Sequence, residues 1–154
     1  MSVSGPVNPN AAERAAAVLQ QALPPYEFES WVQQVEHDTA RSRWYLRFTC
    51  DGRDGSTIVF DLHERTLRYE LYFLPAPEGD VAGLHQWLLR KNDSLTLVHF
   101  SVGEHGDVYL RGRMDLDQVD STAIERVVAA MYLTTEQLFP LAIRMLRTRK
   151  RTVR

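Results

Sequence analysis

Apolar and polar residues alternate along the middle of the chain, a pattern typical of strands that bury one face. Every second residue is apolar in three runs, at residues 44–50, 58–62 and 67–73. Residues 51–55, between the first two runs, include two glycines and two aspartates. These residues favour tight turns because they tolerate positive φ angles. The three runs therefore predict an antiparallel meander.

Two more strands are predicted later in the chain, over residues 95–102 and 108–113. Residues 103–107 between them contain two glycines, which predicts a hairpin turn. Together with the meander, this hairpin makes a sheet of five antiparallel strands.

The N-terminal part of the chain predicts a helix over residues 9–23, where alanines and leucines recur at helical spacing. Asn10 and Glu13 have the spacing of a capping box. Residues 26–38 are ambiguous, because their apolar residues follow helical spacing although the stretch could also supply a short strand. We expect a helical turn there.

The C-terminal part predicts two helices. One covers residues 80–91 with Asp80 as its N-cap, and the other runs from residue 121 to about 147 after Asp120. Pro140 lies inside the second helix and lacks a backbone N–H, so we expect a kink or a break at that position.

The element order is therefore α-β-β-β-α-β-β-α. This order predicts an α+β single domain, with an antiparallel five-stranded sheet and helices packed on one face. A length of 154 residues fits one domain. We expect a flexible N-terminus at residues 1–8, the folded domain at 9–146 and a basic C-terminal tail at 147–154.

Composition and charge narrow the class of protein. The first ten residues lack the features of a signal peptide, and no apolar run approaches the roughly 20 residues that span a bilayer. With Cys50 as its single cysteine, the chain fits a cytoplasmic protein without a membrane partner. The net charge is −2, but the tail holds five basic residues and no acid, which leaves −7 on the rest.

The sequence does not contain a constellation that indicates catalysis or metal binding. Its five histidines lack the paired spacing of a helical zinc site. Its serines lack the Gly-x-Ser-x-Gly turn of hydrolases. Cys50 alternates in phase with core positions, so we interpret it as a small core residue. We expect no catalytic residue, no metal, no cofactor and no enzymatic activity.

Two segments resemble a known family. Residues 84–92, Leu-His-Gln-Trp-Leu-Leu-Arg-Lys-Asn, are similar to the helix end YRWLLRRN of actinobacterial YbjN-domain proteins. Residues 98–102 and 106–114 resemble the hairpin of the same family, GDVYLVGRL in its second strand. The resemblance covers roughly residues 57–146.

This resemblance implies a fold like that of the type III secretion chaperones, usually a homodimer, with no known catalytic chemistry. The chain departs from the family pattern at Phe139 and Pro140, where the family typically has Phe-Asn. It also has a longer segment between the first helix and the first predicted strand, and it ends in the basic tail. The resemblance therefore assigns no role to residues 26–42 or 140–154.

Candidate binding residues lie on the outer sheet face and beside the second predicted helix. They are aromatic or basic: Tyr45, Tyr72, Trp87, Arg90, Tyr109, Arg111 and Arg113. The tyrosines would form an aromatic patch opposite the core positions, and such a patch marks an interface. For Arg111 and Arg113 we favour a solvated face with cross-strand ion pairs over a binding role.

The sequence thus predicts a non-catalytic chaperone-like or regulatory module that binds a peptide or protein, as a homodimer. The alternative is a nucleic-acid-associated regulator that uses the basic tail. Such binding would be weak and sensitive to salt.

Overall fold

Six antiparallel strands form one sheet in the computed structural model, which describes the backbone of residues 10–152 and the side chains of residues 10–147. The helices and strands are α1 (Ala11–Ala22), β1 (Val32–Asp38), β2 (Arg43–Cys50), β3 (Arg53–Leu62), β4 (Thr66–Leu74), α2 (Val81–Asn92), β5 (His99–Val102), β6 (Val108–Asp115) and α3 (Ser121–Thr152). Short 3₁₀ turns cover Pro24–Phe28 and Leu116–Gln118. The strand order across the sheet is β1-β2-β3-β4-β6-β5.

The α+β class and the antiparallel sheet are confirmed, but the predicted five strands and the element order are wrong. The additional strand is β1, within the stretch predicted as a helical turn. Val32 pairs with Phe48 and Val35 with Leu46, with a bulge between them. The extra residue of the bulge puts Val32 and Val35 on the same face at a spacing of three. A spacing of three is also typical of one face of a helix, which is why a helical turn was expected here.

Two of the three predicted helix N-caps form. The side chain of Asn10 does not cap α1, so the predicted capping box is absent. Asp80 does cap α2, because its carboxylate accepts a hydrogen bond from Gly83 N at 3.0 Å. Asp120 likewise accepts one from Ala123 N at 2.7 Å.

Pro140 does not break α3, which continues to Thr152. Leu138 and Ala142 on either side of the proline are buried in the core. The Phe139 ring contacts Phe73 at 5.8 Å between centroids, and the Arg53 guanidinium lies 4.7 Å from its centre. Packing on both sides of the proline therefore holds the helix in place across the missing hydrogen bond.

The core lies on one side of the sheet. Alternate residues of the long strands are buried there together with apolar residues of all three helices, in one hydrophobic cluster. The strand contributions include Trp44, Leu46, Phe48, Ile58, Phe60, Leu67, Leu71, Phe73, Val108 and Leu110. α1 packs on α3, and α3 crosses β2, β3 and β4. No described helix packs on the opposite side, which we call the outer face.

Tyr69 explains why β5 starts at His99 and not at residue 95 as predicted. It lies opposite Gly112 on the core side of the sheet, and its hydroxyl donates a hydrogen bond to Leu97 O at 2.7 Å. Leu97 has a positive φ of 69°, which is uncommon for a residue with a side chain. The ring occupies the space that a side chain on residue 112 would fill.

Substituting Gly112→Ala should therefore destabilise the fold. The new methyl group would collide with the Tyr69 ring and with Leu97 O, and overpacking of this kind costs roughly 1–3 kcal/mol. The free energy of unfolding in urea measures the effect. The matched control is Gly55→Ala, where the atoms nearest to the methyl group belong to the end of the exposed, flexible Arg47 side chain, and we expect a change within about 0.5 kcal/mol. Equal losses for both variants would contradict this account.

Candidate functional site

Side chains on the outer face form rows that cross the sheet. The strand register aligns one residue from each strand in a central row: Glu36, Tyr45, Val59, Glu70, Arg111 and His99. The row mixes acids, a base, an aromatic ring and an aliphatic side chain. The chemical character of the row changes from one strand to the next, so different parts of the face suit different kinds of contact.

Three cross-strand pairs on β4 and β6 bring aromatic and charged side chains together on this face. Tyr72 lies opposite Tyr109, Glu70 opposite Arg111, and Arg68 opposite Arg113. We call these six residues the β4–β6 ladder. The ladder changes along its length from aromatic to ion-paired to purely basic.

Arg111 is held in one position by three neighbours. Its Nε donates to Glu70 Oε2 at 2.6 Å, and one terminal nitrogen donates to Ser101 Oγ at 3.1 Å. The guanidinium also lies 4.1 Å from the centre of the Tyr109 ring. This is a cross-strand ion pair of the kind expected from the sequence. Because both partners are only partly buried, its net contribution to stability is small.

The aromatic end of the ladder consists of Tyr72 and Tyr109. Their rings meet edge to face with centroids 5.5 Å apart, and Tyr72 is 41% exposed. The pKa of Tyr72 is raised by burial and by the nearby carboxylate of Asp107, so its hydroxyl stays protonated at neutral pH. The pair presents apolar ring surface together with a polar edge.

Tyr45 is separate from this pair. It lies on β2 opposite Glu36 and Val59, beside a depression of about 240 Å³ that is also lined by Arg47 and Thr57. The predicted aromatic patch is thus divided in two, with β3 between the parts.

Trp87 and Arg90 lie on α2 and not on the outer face. Trp87 is half-buried, with Lys91 Nζ 5.6 Å from its ring centre, and Arg90 is exposed. α2 packs beside β5, leaving a groove of about 180 Å³ between the helix and this edge strand. Leu89 in the groove is 68% exposed.

Asn92 closes part of the sheet edge beside this groove. Its side-chain amide donates to Phe100 O at 3.1 Å, and its carbonyl accepts from Phe100 N at 2.6 Å. These backbone groups are the ones that an added strand would need. The groove can therefore accept apolar side chains more readily than a pairing strand.

Sequence reasoning missed Arg68, Glu70 and Leu89. The alternation along β4 already placed Arg68 and Glu70 on the outer face. Their importance depends on the register with β6, which the sequence does not give. Leu89 lies off the apolar stripe of α2, and nothing in the pattern distinguishes it from an ordinary exposed leucine.

Cys50 lies opposite Arg53 at the start of β3. Burial raises the pKa of the Cys50 thiol, and the Arg53 guanidinium opposes this only in part. The sequence did not reveal this basic neighbour. The thiol nevertheless stays protonated at neutral pH, and it packs against the core cluster.

Histidines and acids do not converge in the part of the chain that the structure describes, where no group of three metal-ligating side chains is found. His37 stacks on Trp44 with ring centroids 4.1 Å apart, and His63 contacts Asp61 at 3.1 Å. Within the described residues, no helix has both the length and the apolar character to cross a membrane.

The predicted flexible N-terminus lies outside the described residues, and the predicted basic tail is described only in part. Residues 1–9 are not described, and of the tail only the exposed Arg147 has a described side chain. The backbone of α3 extends to Thr152. The nucleic-acid hypothesis, which depends on the other tail residues, stays a prediction.

Comparison with known proteins identifies relatives. Residues 14–144 match the YbjN family, described as "Putative bacterial sensory transduction regulator". An uncharacterized protein of Mycobacterium leprae is 30% identical over 81 residues, which cover 53% of this chain and 44% of that protein. An uncharacterized protein of Mycobacterium bovis is 30% identical over 70 residues, covering 46% of this chain and 38% of that protein. The matches span less than half the length of these relatives.

Two solved structures share the fold. One is from the heterodimeric ExoU–SpcU complex of the type III secretion system of Pseudomonas aeruginosa. It has a TM-score of 0.51 and 22% identity, and the match covers 63% of this chain and 81% of that one. The other is from the ExsC–ExsE complex, with a TM-score of 0.55, 15% identity, and coverage of 86% of this chain and 95% of that one. The predicted resemblance to the type III secretion chaperone fold is confirmed.

Cys50 should react slowly with iodoacetamide at pH 8, because only the thiolate is nucleophilic and burial raises the pKa of this thiol. We expect a rate several-fold below that of the same chain unfolded in urea, measured by mass spectrometry. A matched control moves the cysteine to an exposed loop position, in the double variant Cys50→Ala/Thr96→Cys. This variant should react at the unfolded rate without urea. Alkylation of native Cys50 at the unfolded rate would contradict the raised pKa.

Proposed function

This chain belongs to the YbjN family, and from that premise we propose that it is a non-catalytic, cytoplasmic protein-binding module. It holds a peptide or protein segment on the outer face of its sheet. The single observation that carries this proposal is the β4–β6 ladder. The ladder is a run of paired aromatic and charged side chains on a sheet face that no described helix covers.

The two solved structures support a protein partner by analogy of fold. Both were determined as complexes of two proteins, ExoU with SpcU and ExsC with ExsE. Identities of 22% and 15% support a shared fold and not a shared partner. The partner class for this chain is therefore argued from its own surface.

The β4–β6 ladder has the composition and order that binding surfaces need. Tyrosine and arginine are enriched among the residues that contribute most to protein interfaces. The Tyr72 and Tyr109 rings support each other, and Arg111 is fixed by Glu70 and Ser101. Because these side chains are already ordered, binding loses little conformational entropy.

The groove between α2 and β5 is a weaker candidate for the main binding surface. Its volume of about 180 Å³ is smaller than that of the depression beside Tyr45, of about 240 Å³, and of a second outer-face depression of about 440 Å³ lined by Arg68 and Arg113. Asn92 also occupies the backbone groups of Phe100. We therefore place the principal contact on the outer face, and a Leu89 variant separates the two surfaces.

Replacing both tyrosines of the β4–β6 ladder should abolish most of the binding to the partner. We expect the double variant Tyr72→Ser/Tyr109→Ser to retain less than a tenth of the partner captured from a lysate of the source organism by the wild-type chain. Each lost aromatic anchor costs roughly 2 kcal/mol or more of binding free energy. Quantitative mass spectrometry of matched pull-downs measures the ratio.

Two controls accompany this experiment. Leu89→Ser, in the groove beside α2, should leave capture unchanged, as should deletion of residues 147–154. Loss of the partner with Leu89→Ser alone would move the site to the groove. Loss with the deletion alone, together with recovery of nucleic acid, would favour the tail hypothesis.

The resemblance to type III secretion chaperones adds a homodimer to this proposal. One chain has a mass of 17.7 kDa, so light scattering after size exclusion should give about twice that value at micromolar concentration. A mass of one chain across the accessible concentration range would remove the dimer and leave the binding face intact.

A further inference from the structure

Two arginines at the end of the β4–β6 ladder lie directly opposite each other. Arg68 on β4 is the cross-strand neighbour of Arg113 on β6. Side chains in such positions start about 5 Å apart, and like charges there are destabilising. Both are exposed, and neither forms an ion pair with any residue that the structure describes. The fold concentrates positive charge at this point without neutralising it.

Two acids near the arginine pair, Asp61 and Glu70, already have basic partners. Asp61 faces this end of the ladder across β3 and β4. However, one of its carboxylate oxygens contacts Arg43 at 3.3 Å and the other contacts His63 at 3.1 Å. Glu70 accepts its bond from Arg111 at 2.6 Å. Neither acid forms an ion pair with the two opposed arginines.

The arginine pair borders a shallow depression of about 440 Å³, whose charged lining comprises three arginines and one glutamate, with His99 at the edge strand. With the histidine neutral, this lining has a net charge of +2, whereas the whole chain has −2. The depression is therefore a basic site on an otherwise acidic protein, and its complement is an anion.

The spacing along the ladder specifies the shape of that anion. Tyr72 lies four residues from Arg68 on β4, and Tyr109 lies four residues from Arg113 on β6. At about 3.3 Å per residue, the aromatic and basic ends are roughly 13 Å apart. An extended peptide has the same rise per residue, so two of its side chains four positions apart on one face would reach both ends.

We infer that the outer face recognises an extended acidic segment of a protein partner. In that segment, an aromatic or branched apolar residue and an aspartate or glutamate stand four positions apart. The apolar residue packs on Tyr72 and Tyr109, and the carboxylate binds between Arg68 and Arg113. This inference rests on the proposed function and names the chemistry of its partner.

Two features favour a peptide over a small anion. The depression is open and shallow, and small ligands bind tightly in clefts that bury most of their surface. The paired guanidinium groups suit a carboxylate, which each of them can bind through two parallel hydrogen bonds. Glu70 lies between the two ends and repels a second acid there, so it directs the carboxylate to the basic end.

A display library of random nine-residue peptides, selected on the wild-type chain, tests this inference. We expect enrichment of an apolar residue and an acid four positions apart, in either order along the peptide. Enriched peptides without an acid, or no enrichment at all, would overturn it. Tighter binding of a single-stranded DNA oligonucleotide than of the best peptides would also overturn it.

Affinities of the selected peptides for designed variants locate the contact. Arg68→Gln/Arg113→Gln should weaken binding at least tenfold, as should replacing the peptide acid by its amide. The control Arg41→Gln/Lys91→Gln removes two positive charges that do not belong to the outer face. It should change the affinity less than twofold. Equal weakening of peptide binding by both double variants would show only a general attraction between opposite charges, and would contradict a specific contact at Arg68 and Arg113.

A stability measurement separates binding from a structural role. Removing one of two opposed like charges relieves repulsion, so Arg113→Glu should not lower Tm while it abolishes peptide binding. A fall in Tm that accounts for the lost binding would contradict the inference.

The lysate experiment distinguishes failure here from failure of the proposed function. The double variant Tyr72→Ser/Tyr109→Ser could fail to capture the natural partner while Arg68→Gln/Arg113→Gln still captures it. In that case the outer face binds a protein but does not recognise an acidic residue in it. If the partner is kept by both variants, both proposals are wrong.

Discussion

The three helices of this chain all contribute to a core on one side of the six-stranded sheet, and the rest of the structure depends on that asymmetry. The buried side needs every second strand residue to be apolar, and it leaves the alternate residues free to vary. On the outer face those residues must satisfy one another across strands or be satisfied by water or a partner. Glu70 with Arg111 and Arg43 with Asp61 form ion pairs within the fold, whereas Arg68 and Arg113 do not form an ion pair with any described residue.

Much of the fold could be predicted from the sequence because one-sided burial leaves a clear pattern. The alternation around Trp44, Ile58 and Leu67 indicated β2, β3 and β4. For β1 the sequence left a short strand open but favoured a helical turn, because a bulge between Val32 and Gln34 changed the spacing of its core residues from two to three. A single inserted residue makes the apolar spacing of a strand look like that of a helix. We see no property of the local sequence that marks the insertion.

The candidate site was predictable in part. Tyr72, Tyr109, Arg111 and Arg113 were placed on the outer face by alternation alone, and the structure brings them together on two adjacent strands. Their pairing required the register between β4 and β6, strands separated in the chain by α2 and β5. Trp87 and Arg90 were grouped with them because they are aromatic or basic. They lie on α2, as the predicted helix over residues 80–91 already implied, and this helix packs beside the sheet edge.

The central claim is that a protein partner contacts the outer face at the β4–β6 ladder. Photocrosslinking tests it most directly, with a benzophenone-bearing phenylalanine analogue incorporated at position 72 or, as the comparison, at position 133. Leu133 is an exposed residue of α3, which packs on the opposite side of the sheet. Our account predicts a crosslink to the partner from position 72 and none from position 133. A crosslink from position 133 alone would contradict it.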